Sequence, residues 1–567
     1  PAAGAMTPEI ALHDQPPVSV MRADDRTWLL DFGRVAFGNL RIDPPSARGA
    51  DLVVHLGEAS REGRVHRQPP GSVRYARIPI ACGGHQPVVV APSANPQHVH
   101  PSAVRTPSAW GNILPFRWVE IEGWPRRAGP PDVIRQAAFL NTWDDEASSF
   151  TSSDAMLNRI WDLCRYTIKA TTYAGVYVDG DRERIAYEGD AYINQLCHYA
   201  VDRDTTMARA TMDRLLALPT WPSEWTLHLP LMAHADWMHT GEADWVTTRY
   251  DALKSRLLQE RVRPDGLLGS TEAHIAKGDL VDWPPGERDG FVFTPVNAVV
   301  NAFRIRALAA MAELAVVAGS RPDARLFAAQ ARSAIRVYQA LLLDRTRGRF
   351  RDGEGTDHTS WHANGFALAA GLAPAALRAG IAAWIAQRGM AGSVYAAFHV
   401  LDALFENGAG DQALALIAAP GDRSWRHMVD AGTTITWEAW DQCCKPNQDW
   451  NHAWGAAPAW LLPRHVLGVR PMKAGWSQIL IRPNHGTLTH AQGTVPTPLG
   501  PVEVAWSRDP AFRLRLAVPR GMTARIELPA ARLSRGIRSH GRPVPARRAA
   551  GRWVIESTTS GTWAVDR

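Results

Sequence analysis

"SDAMLNRIWDLCRYTIKATTY", residues 153–173, places Met156, Leu157, Ile160, Trp161, Cys164 and Ile168 at helical spacing behind a Ser-Asp cap signal. The stretch marks a change of period. Upstream, "TWLLDFGRVAFGNLRI", "DLVVHLGEAS" and "FRWVEIEGW" are short alternating or apolar runs broken by Gly and Pro, which predicts strands. Downstream, amphipathic segments recur from Asp204–Ala217 through Pro322–Leu343 and Ser393–Asn407 to Ala453–Leu467, mostly ended by Gly or Pro. Ten or more helices over some 320 residues, with few strand candidates between them, predict a helical toroid or bundle of packed hairpins. After Pro471, "SQILIRP", "PVEVAWS", "FRLRLAVP", "ARIELP" and "RWVIES" alternate again, the pattern of a β-sandwich. The expected organisation is therefore β over 1–145, helical over 146–470 and β over 471–567, about three domains in a chain of 567 residues.

Composition narrows the function. With 46% hydrophobic and 21% charged residues, the chain can bury large cores. Its 62 basic and 56 acidic residues leave a net charge of only +6, and no basic run is interleaved with aromatics, so nucleic-acid binding is not expected. No apolar run reaches the roughly 18 residues of a membrane span. Cys82, Cys164, Cys197, Cys443 and Cys444 show no CxxC spacing and read as buried thiols. His228, His274, His362, His399 and His452 are dispersed, which gives no metal-ligand pattern. Motifs for nucleotide, zinc-protease and serine-hydrolase chemistry are missing. The opening "PAAGAM" lacks an initiator Met, as in a processed chain, and favours a periplasmic or secreted location over a cytoplasmic one as an expectation. Oligomeric state is not legible.

The 23 tryptophans are unusual, because an indole face stacks well on the C–H face of a sugar. Two acidic stretches accompany them. In "DGDRERIAYEGDA", Asp179, Asp181, Glu183, Glu188 and Asp190 crowd between apolar flanks. This reads either as a solvated loop neutralised by Arg182 and Arg184, or as acids at the mouth of a core, where desolvation raises a carboxyl pKa. In "AGTTITWEAWDQ", Glu438 stands between Trp437 and Trp440. Glycoside hydrolysis needs two carboxyl groups with opposite duties, and these stretches supply one each.

The combination resembles the inverting α-L-rhamnosidases of glycoside hydrolase family 78, over most of the chain. The family motif Asp-Cys-Pro-x-Arg-x-Glu-Arg-x-x-Trp-x-Gly-Asp-Ala is matched at Glu183, Arg184, Gly189, Asp190 and Ala191. The "VDWPP" stretch (Asp282, Trp283), "GTTITWEAWD" and "NHAWGAAPAWL" follow in the family's order. The resemblance implies a central (α/α)6 barrel flanked by N-terminal and C-terminal β-sandwich domains, with no cofactor and no metal. It also implies Glu183 as general acid and Glu438 as general base in removing terminal α-L-rhamnose from a glycoside or polysaccharide. Asp179, Asp190, Arg184, Asp282, Trp283 and His452 are implied sugar contacts, and Trp437, Trp440 and Trp283 are expected as apolar walls. Where the family has Cys-Pro, this chain has a shorter "GD", so Asp181 competes with Asp179 for the first acidic position; Tyr187 replaces the motif Trp. The alternatives are another inverting exo-glycosidase on the same barrel, or a toroidal polysaccharide lyase using Tyr187 and His452.

Overall fold

A computed structural model describes residues 8–43, 51–81, 86–509, 511–532 and 534–565. The expected β, α, β order is the observed one.

The N-terminal domain is an eight-stranded antiparallel sheet in the order Ile10–Gln15, Val133–Leu140, Thr27–Ile42, Leu114–Glu122, Asp51–Gly57, Tyr75–Ala81, with Ser19–Asp24 and Val88–Val90 also paired to Thr27–Ile42. The 16-residue strand Thr27–Ile42 shifts register between Asp31 and Ala36 and changes partners there, bending the sheet around Leu30, Leu40, Val54, Phe116 and Ile121.

The central domain alternates outer and inner helices. The outer ones are α1 (Ala155–Ala170), α3 (Thr206–Ala217), α5 (Asp244–Lys254), α7 (Arg321–Leu342), α9 (Ala375–Gln387) and α11 (Gly410–Ile417). The inner ones are α2 (Glu188–Val201), α4 (His228–Thr240), α6 (Ala298–Val317), α8 (Trp361–Ala369) and α10 (Val394–Glu406), with the helical turns 453–467 completing the sixth hairpin. Each inner helix packs on the next, and 453–467 closes the ring against α2. Burial explains the two sequence types. Outer α7 buries one stripe, Phe327, Ala331, Ala334, Tyr338 and Leu342, whereas inner α2 is buried almost throughout and so has little amphipathic signal. Asp154 caps α1 by accepting from the Met156 and Leu157 amides at 2.8 and 3.1 Å, as its sequence signal predicts.

Residues 453–467 depart from the single helix expected. They form a 3₁₀ turn, an α turn and a π turn in succession, because Pro458 and Pro463 supply no amide donor. Gly455 is seated where a Cβ would press on Thr436 and the Trp437 carbonyl.

The C-terminal domain pairs a seven-stranded with a five-stranded sheet around Ile479, Val504, Leu514, Ile526 and Trp563. Its edge strand is Ser149–Ser152, from the residues just ahead of α1, paired antiparallel with His490–Val495. That short strand ties the start of the barrel to the last domain, a long-range pairing with no local signal. Cys164 and Cys197 are buried as expected, but Cys443 is exposed and Cys444 half-buried on a surface loop; Cys82 lies outside the described residues.

A side chain at Gly493 would collide with the Ser149 carbonyl. Gly493→Ala is expected to lower unfolding stability by roughly 1–3 kcal/mol in urea titrations. An unchanged midpoint would contradict this strand pairing.

Candidate active site

Helix α1 ends in a 3₁₀ turn at Thr171–Ala174, Gly175 takes the left-handed conformation (φ 69°), and the chain then enters the acid turn. This turn closes on itself. The Asp179 amide donates to the Ile185 carbonyl at 2.9 Å, the Ile185 amide to Asp179 Oδ1 at 2.9 Å, and the Arg184 amide to the Gly180 carbonyl at 3.0 Å. Arg184 sits at φ 55°, a strained conformation for a side chain with a Cβ. Contacts on the side away from the pocket hold it. Its guanidinium donates to Asp181 Oδ1 at 2.9 and 2.5 Å and to the Ile113 carbonyl at 2.8 Å, while Arg74 pairs with Asp181 Oδ2 at 2.5 Å. The N-terminal domain adds more: His98 Nε2 donates to the Asp181 carbonyl at 2.5 Å, and the Val104 amide to the Arg184 carbonyl at 2.8 Å. Asn451 accepts from the Asp181 amide at 2.7 Å and donates to Glu58 at 3.0 Å. Burial pushes the Glu58 carboxyl up to about 8.

Held this way, the turn presents Asp179, Arg182 and Glu183 to a cavity of about 210 Å³ also lined by Tyr187, Asp190, Trp221, Trp225, Leu280, Trp283, Glu438, His452 and Trp454. Glu183 stands at the rim with its side chain 38% exposed, accepting from Tyr187 Oη at 3.0 Å. Asp179 is buried at the floor, and its Oδ2 has no partner among the described residues. The desolvation expected of the cluster raises the Asp179, Glu188 and Asp190 carboxyls. Burial first, then the Glu183, Asp449 and Asp190 charges, push the Asp179 carboxyl well above the usual range against the opposing pull of His452.

Arg182 crosses the cavity. It grips Glu438 with Nη1 at 2.6 Å and Nη2 at 2.9 Å, and its Nε lies 3.6 Å from Glu183. Because one guanidinium joins the two acids, their nearest oxygens can be no more than about 8.5 Å apart, given C–N bonds of about 1.3 Å. Glu438 is buried, and also ion-pairs with Lys445 at 2.9 Å and accepts from the Asp449 amide at 3.3 Å.

Opposite, His452 lies between two carboxylates, Asp190 at 2.9 Å and Asp449 at 3.1 Å. Burial opposes its charge, but Asp449 and Asp190 outweigh it and push the imidazole up to about 10. Ligand atoms of Glu438, Asp449 and His452 lie within 4.8 Å of one another, as a metal site would need. Each is already committed to an ion pair, so this donor set suits internal charge pairing better than a cation.

The aromatic walls differ from those expected. Trp437 stacks on Trp450 at 5.2 Å and Trp440 donates to the Gly392 carbonyl at 2.8 Å while packing edge-on against Trp425, so both indoles face the core and stand outside the lining. The walls are Trp225, Trp283, Trp454 and Leu280, with Trp221 at the mouth. Gly189 is explained here, since a Cβ would strike the Trp225 indole. Asp181 and Arg184 also stand outside the cavity, paired with each other. So does Asp282, which is buried against His362 Nε2 at 2.6 Å and the Ser393 amide at 2.8 Å and holds the Trp283 amide at 2.9 Å. The adjacent Leu280 and Val281 amides are held by the buried Glu224 carboxylate. Sequence reading passed over Trp221, Trp225, Trp454, Leu280 and Asp449. The Trp-rich "TWPSEW", residues 220–225, was the available signal.

The fold is a toroid of six helical hairpins between β domains, with Glu183 at the rim and Glu438 deeper in one cavity. Residues 145–466 match the bacterial α-L-rhamnosidase six-hairpin glycosidase domain, residues 21–139 the concanavalin-like domain and residues 468–542 the C-terminal domain of the same proteins; the chain belongs to the bacterial α-L-rhamnosidase family. An α-L-rhamnosidase of an Alteromonas species is 22% identical over 563 residues, 91% of this chain and 57% of that one. The α-L-rhamnosidase structure from Dictyoglumus thermophilum superposes with a TM-score of 0.80 at 16% identity, covering 99% of this chain and 64% of its own. The Streptomyces avermitilis α-L-rhamnosidase complexed with L-rhamnose gives 0.78 at 17%, covering 99% and 54%. The chain thus spans little more than half the length of the curated relative. Among the described residues no helix is long and apolar enough to cross a membrane.

Since the folded-state pKa of His452 lies above its ordinary 6.5, the stabilisation it gives is complete below about pH 6.5 and fades as pH rises toward about 10. In histidine-labelled protein, NMR is expected to find this ring still protonated at pH 8. Titration near 6.5 would contradict the carboxylate sandwich.

Proposed function

We propose that this chain hydrolyses terminal α-L-rhamnosides with inversion, removing rhamnose from a glycoside or polysaccharide. The supporting observation is that Glu183 and Glu438, which are 255 positions apart, line one cavity and are bridged by Arg182, in a chain of the rhamnosidase family. Glu183, at the rim, gives its proton to the glycosidic oxygen. Glu438, deeper, takes a proton from the water that attacks the opposite face of the ring. The upper bound of about 8.5 Å admits the roughly 6.5–9.5 Å of an inverting pair and equally the roughly 5–5.5 Å of a retaining one, so inversion is taken here from the family resemblance.

Four donors hold Glu438: two from Arg182, one from Lys445 and one from the Asp449 amide. A carboxylate accepts about four hydrogen bonds, so one must yield before water can be activated. Arg182, already facing Glu183, is the group that turns toward the substrate.

The Asp179 Oδ2, unpartnered among the described residues, hydrogen-bonds a sugar hydroxyl, and Asp190 and the protonated His452 complete the floor. Trp225, Trp454 and Leu280 offer an apolar face to the C6 methyl, a contact worth roughly 1–3 kcal/mol in discrimination. A lyase reading lacks a free base. His452 is sandwiched between carboxylates, and burial first, then Glu183, pushes the Tyr187 phenol upward.

Leaving-group dependence separates the two roles. Glu438→Gln is expected to lose about 10²–10⁴ in kcat on both p-nitrophenyl and methyl α-L-rhamnoside. Glu183→Gln should lose that much on the methyl glycoside and distinctly less on p-nitrophenyl, whose leaving group needs little protonation. A folded variant that kept more than about a tenth of wild-type kcat on the methyl glycoside would overturn its assignment.

A further inference from the structure

Hydrolysis leaves one pair of nucleophilic side chains unused. Cys443 and Cys444 are consecutive, their sulfurs lie 3.9 Å apart, and they sit on the loop that runs from Glu438 to Asp449. Cys164 and Cys197 are buried, and burial pushes both of their thiols upward, so neither serves as a nucleophile.

The two neighbours differ in access. Cys443 is exposed, whereas half-buried Cys444 accepts from Arg423 Nη1 at 3.7 Å. Arg423 is itself fixed, donating to the Met390 and Gly392 carbonyls at 2.7 and 2.9 Å and pairing with buried Glu287. Burial first, then the Glu287 charge, push the Cys444 thiol up to about 12 against the pull of Arg423. An open thiol beside a held one is the arrangement of an attacking and a resolving cysteine.

The pair also borders the base. The Cys444 and Lys445 amides both donate to the Asp441 carbonyl, at 3.0 and 3.3 Å, and the Lys445 ammonium meets Glu438 Oε1 at 2.9 Å. Adjacent Cα atoms are about 3.8 Å apart across a trans peptide, closer than the roughly 4.4–6.8 Å that a disulfide ordinarily spans. A bridge between these two residues must therefore turn the peptide that joins them, and the next residue to be moved is Lys445.

We propose that Cys443 and Cys444 form a reversible dithiol site that a low-molecular-weight disulfide closes to a vicinal disulfide, and that closure draws Lys445 away from Glu438 and slows hydrolysis. The link to Glu438 rests on the rhamnosidase reading of the site. The Cys443 thiolate attacks one sulfur of the reagent, forming a mixed disulfide and releasing one reagent thiol. Cys444 then gives up its proton and attacks the Cys443 sulfur, expelling the second reagent thiol. The protein loses two S–H bonds and gains one S–S bond, while the reagent disulfide is reduced to two thiols. Lys445 is the positioning residue through which the bridge acts on the base.

The test treats the full chain, in a Cys82→Ser background, with one equivalent of dithiodipyridine. Two thiopyridones per chain are expected, and the peptide carrying both cysteines should be lighter by two hydrogens. On p-nitrophenyl α-L-rhamnoside, kcat is expected to fall about ten- to a hundredfold, the size of one charge-assisted hydrogen bond, with KM changed less than about twofold. Dithiothreitol should restore it. Cys444→Ser should release a single thiopyridone, and Cys443→Ser should keep its kcat through the treatment. A single thiopyridone from the parent protein, or a peptide without the bridge, would overturn the site. A closed bridge with unchanged kcat would overturn the link to Glu438, as would an equal loss of kcat in Cys443→Ser. If the untreated protein turned over no α-L-rhamnoside, the hydrolase reading would fail and the link to Glu438 with it, while thiopyridone release and peptide mass would still decide the dithiol site.

Discussion

The site depends on one buried charge. Asp181 is fully enclosed between Arg184 and Arg74, each at 2.5 Å, and removal of one partner from such a pair typically costs about 3–5 kcal/mol because a charge is left stranded. This pairing keeps Arg184 in its left-handed conformation, and that conformation closes the turn that sends Asp179 to the floor, Arg182 across the cavity and Glu183 to the rim. Arg74 belongs to the N-terminal domain, so the acid turn has its working geometry only when that sheet is docked. Glu58 and His98 reinforce the same dependence through Asn451 and the Asp181 carbonyl.

The toroid supplies the complementary half. Residues after α11 and before 453–467 carry Glu438, Lys445, Asp449 and His452, and α2 carries Asp190 from the opposite side. Arg182–Glu438 and His452–Asp190 are the two charge links that join these halves across the cavity, at 2.6 and 2.9 Å. Such links in a water-poor pocket are individually strong and mutually dependent. They also leave Asp179 Oδ2, at the floor, without a donor among the described residues. The C-terminal domain stands outside the cavity lining; it braces the start of α1 through Ser149–Ser152 and also packs on the inner ring, where the Trp476 indole donates to His239 at 3.2 Å and the Trp506 indole to the Val466 carbonyl at 2.8 Å.

Much of this was legible in the sequence. The change of hydrophobic period at Ser153 marks the β-to-α transition, and Asp154, Met156 and Ile160 report a capped amphipathic helix because an outer helix has one wet face. The acid turn and Glu438 stand out by residue type, whereas Asp282 and the role of His452 were implied only by the family resemblance, and Asp282 lies outside the cavity lining. What stayed hidden was direction. In the non-repetitive segment around Glu438 no period tells which way Trp437 and Trp440 point, and both turn into the core. The true walls, Trp225 and Trp454, depend on contacts such as Gly189 against the Trp225 ring, and Arg182 finds Glu438 across 256 positions of chain. The pairing of Ser149–Ser152 with the last domain is hidden for the same reason.

The account turns on two acids acting from opposite faces of the sugar, and the stereochemistry of the first product reports that directly. Proton NMR of wild-type hydrolysis of an α-L-rhamnoside, recorded before mutarotation, is predicted to show β-L-rhamnose appearing first, with the α anomer growing in later. If α-L-rhamnose appeared first, the reaction would proceed with retention, Glu438 would be a nucleophile or a bystander, and the assignment of water activation to it would be wrong.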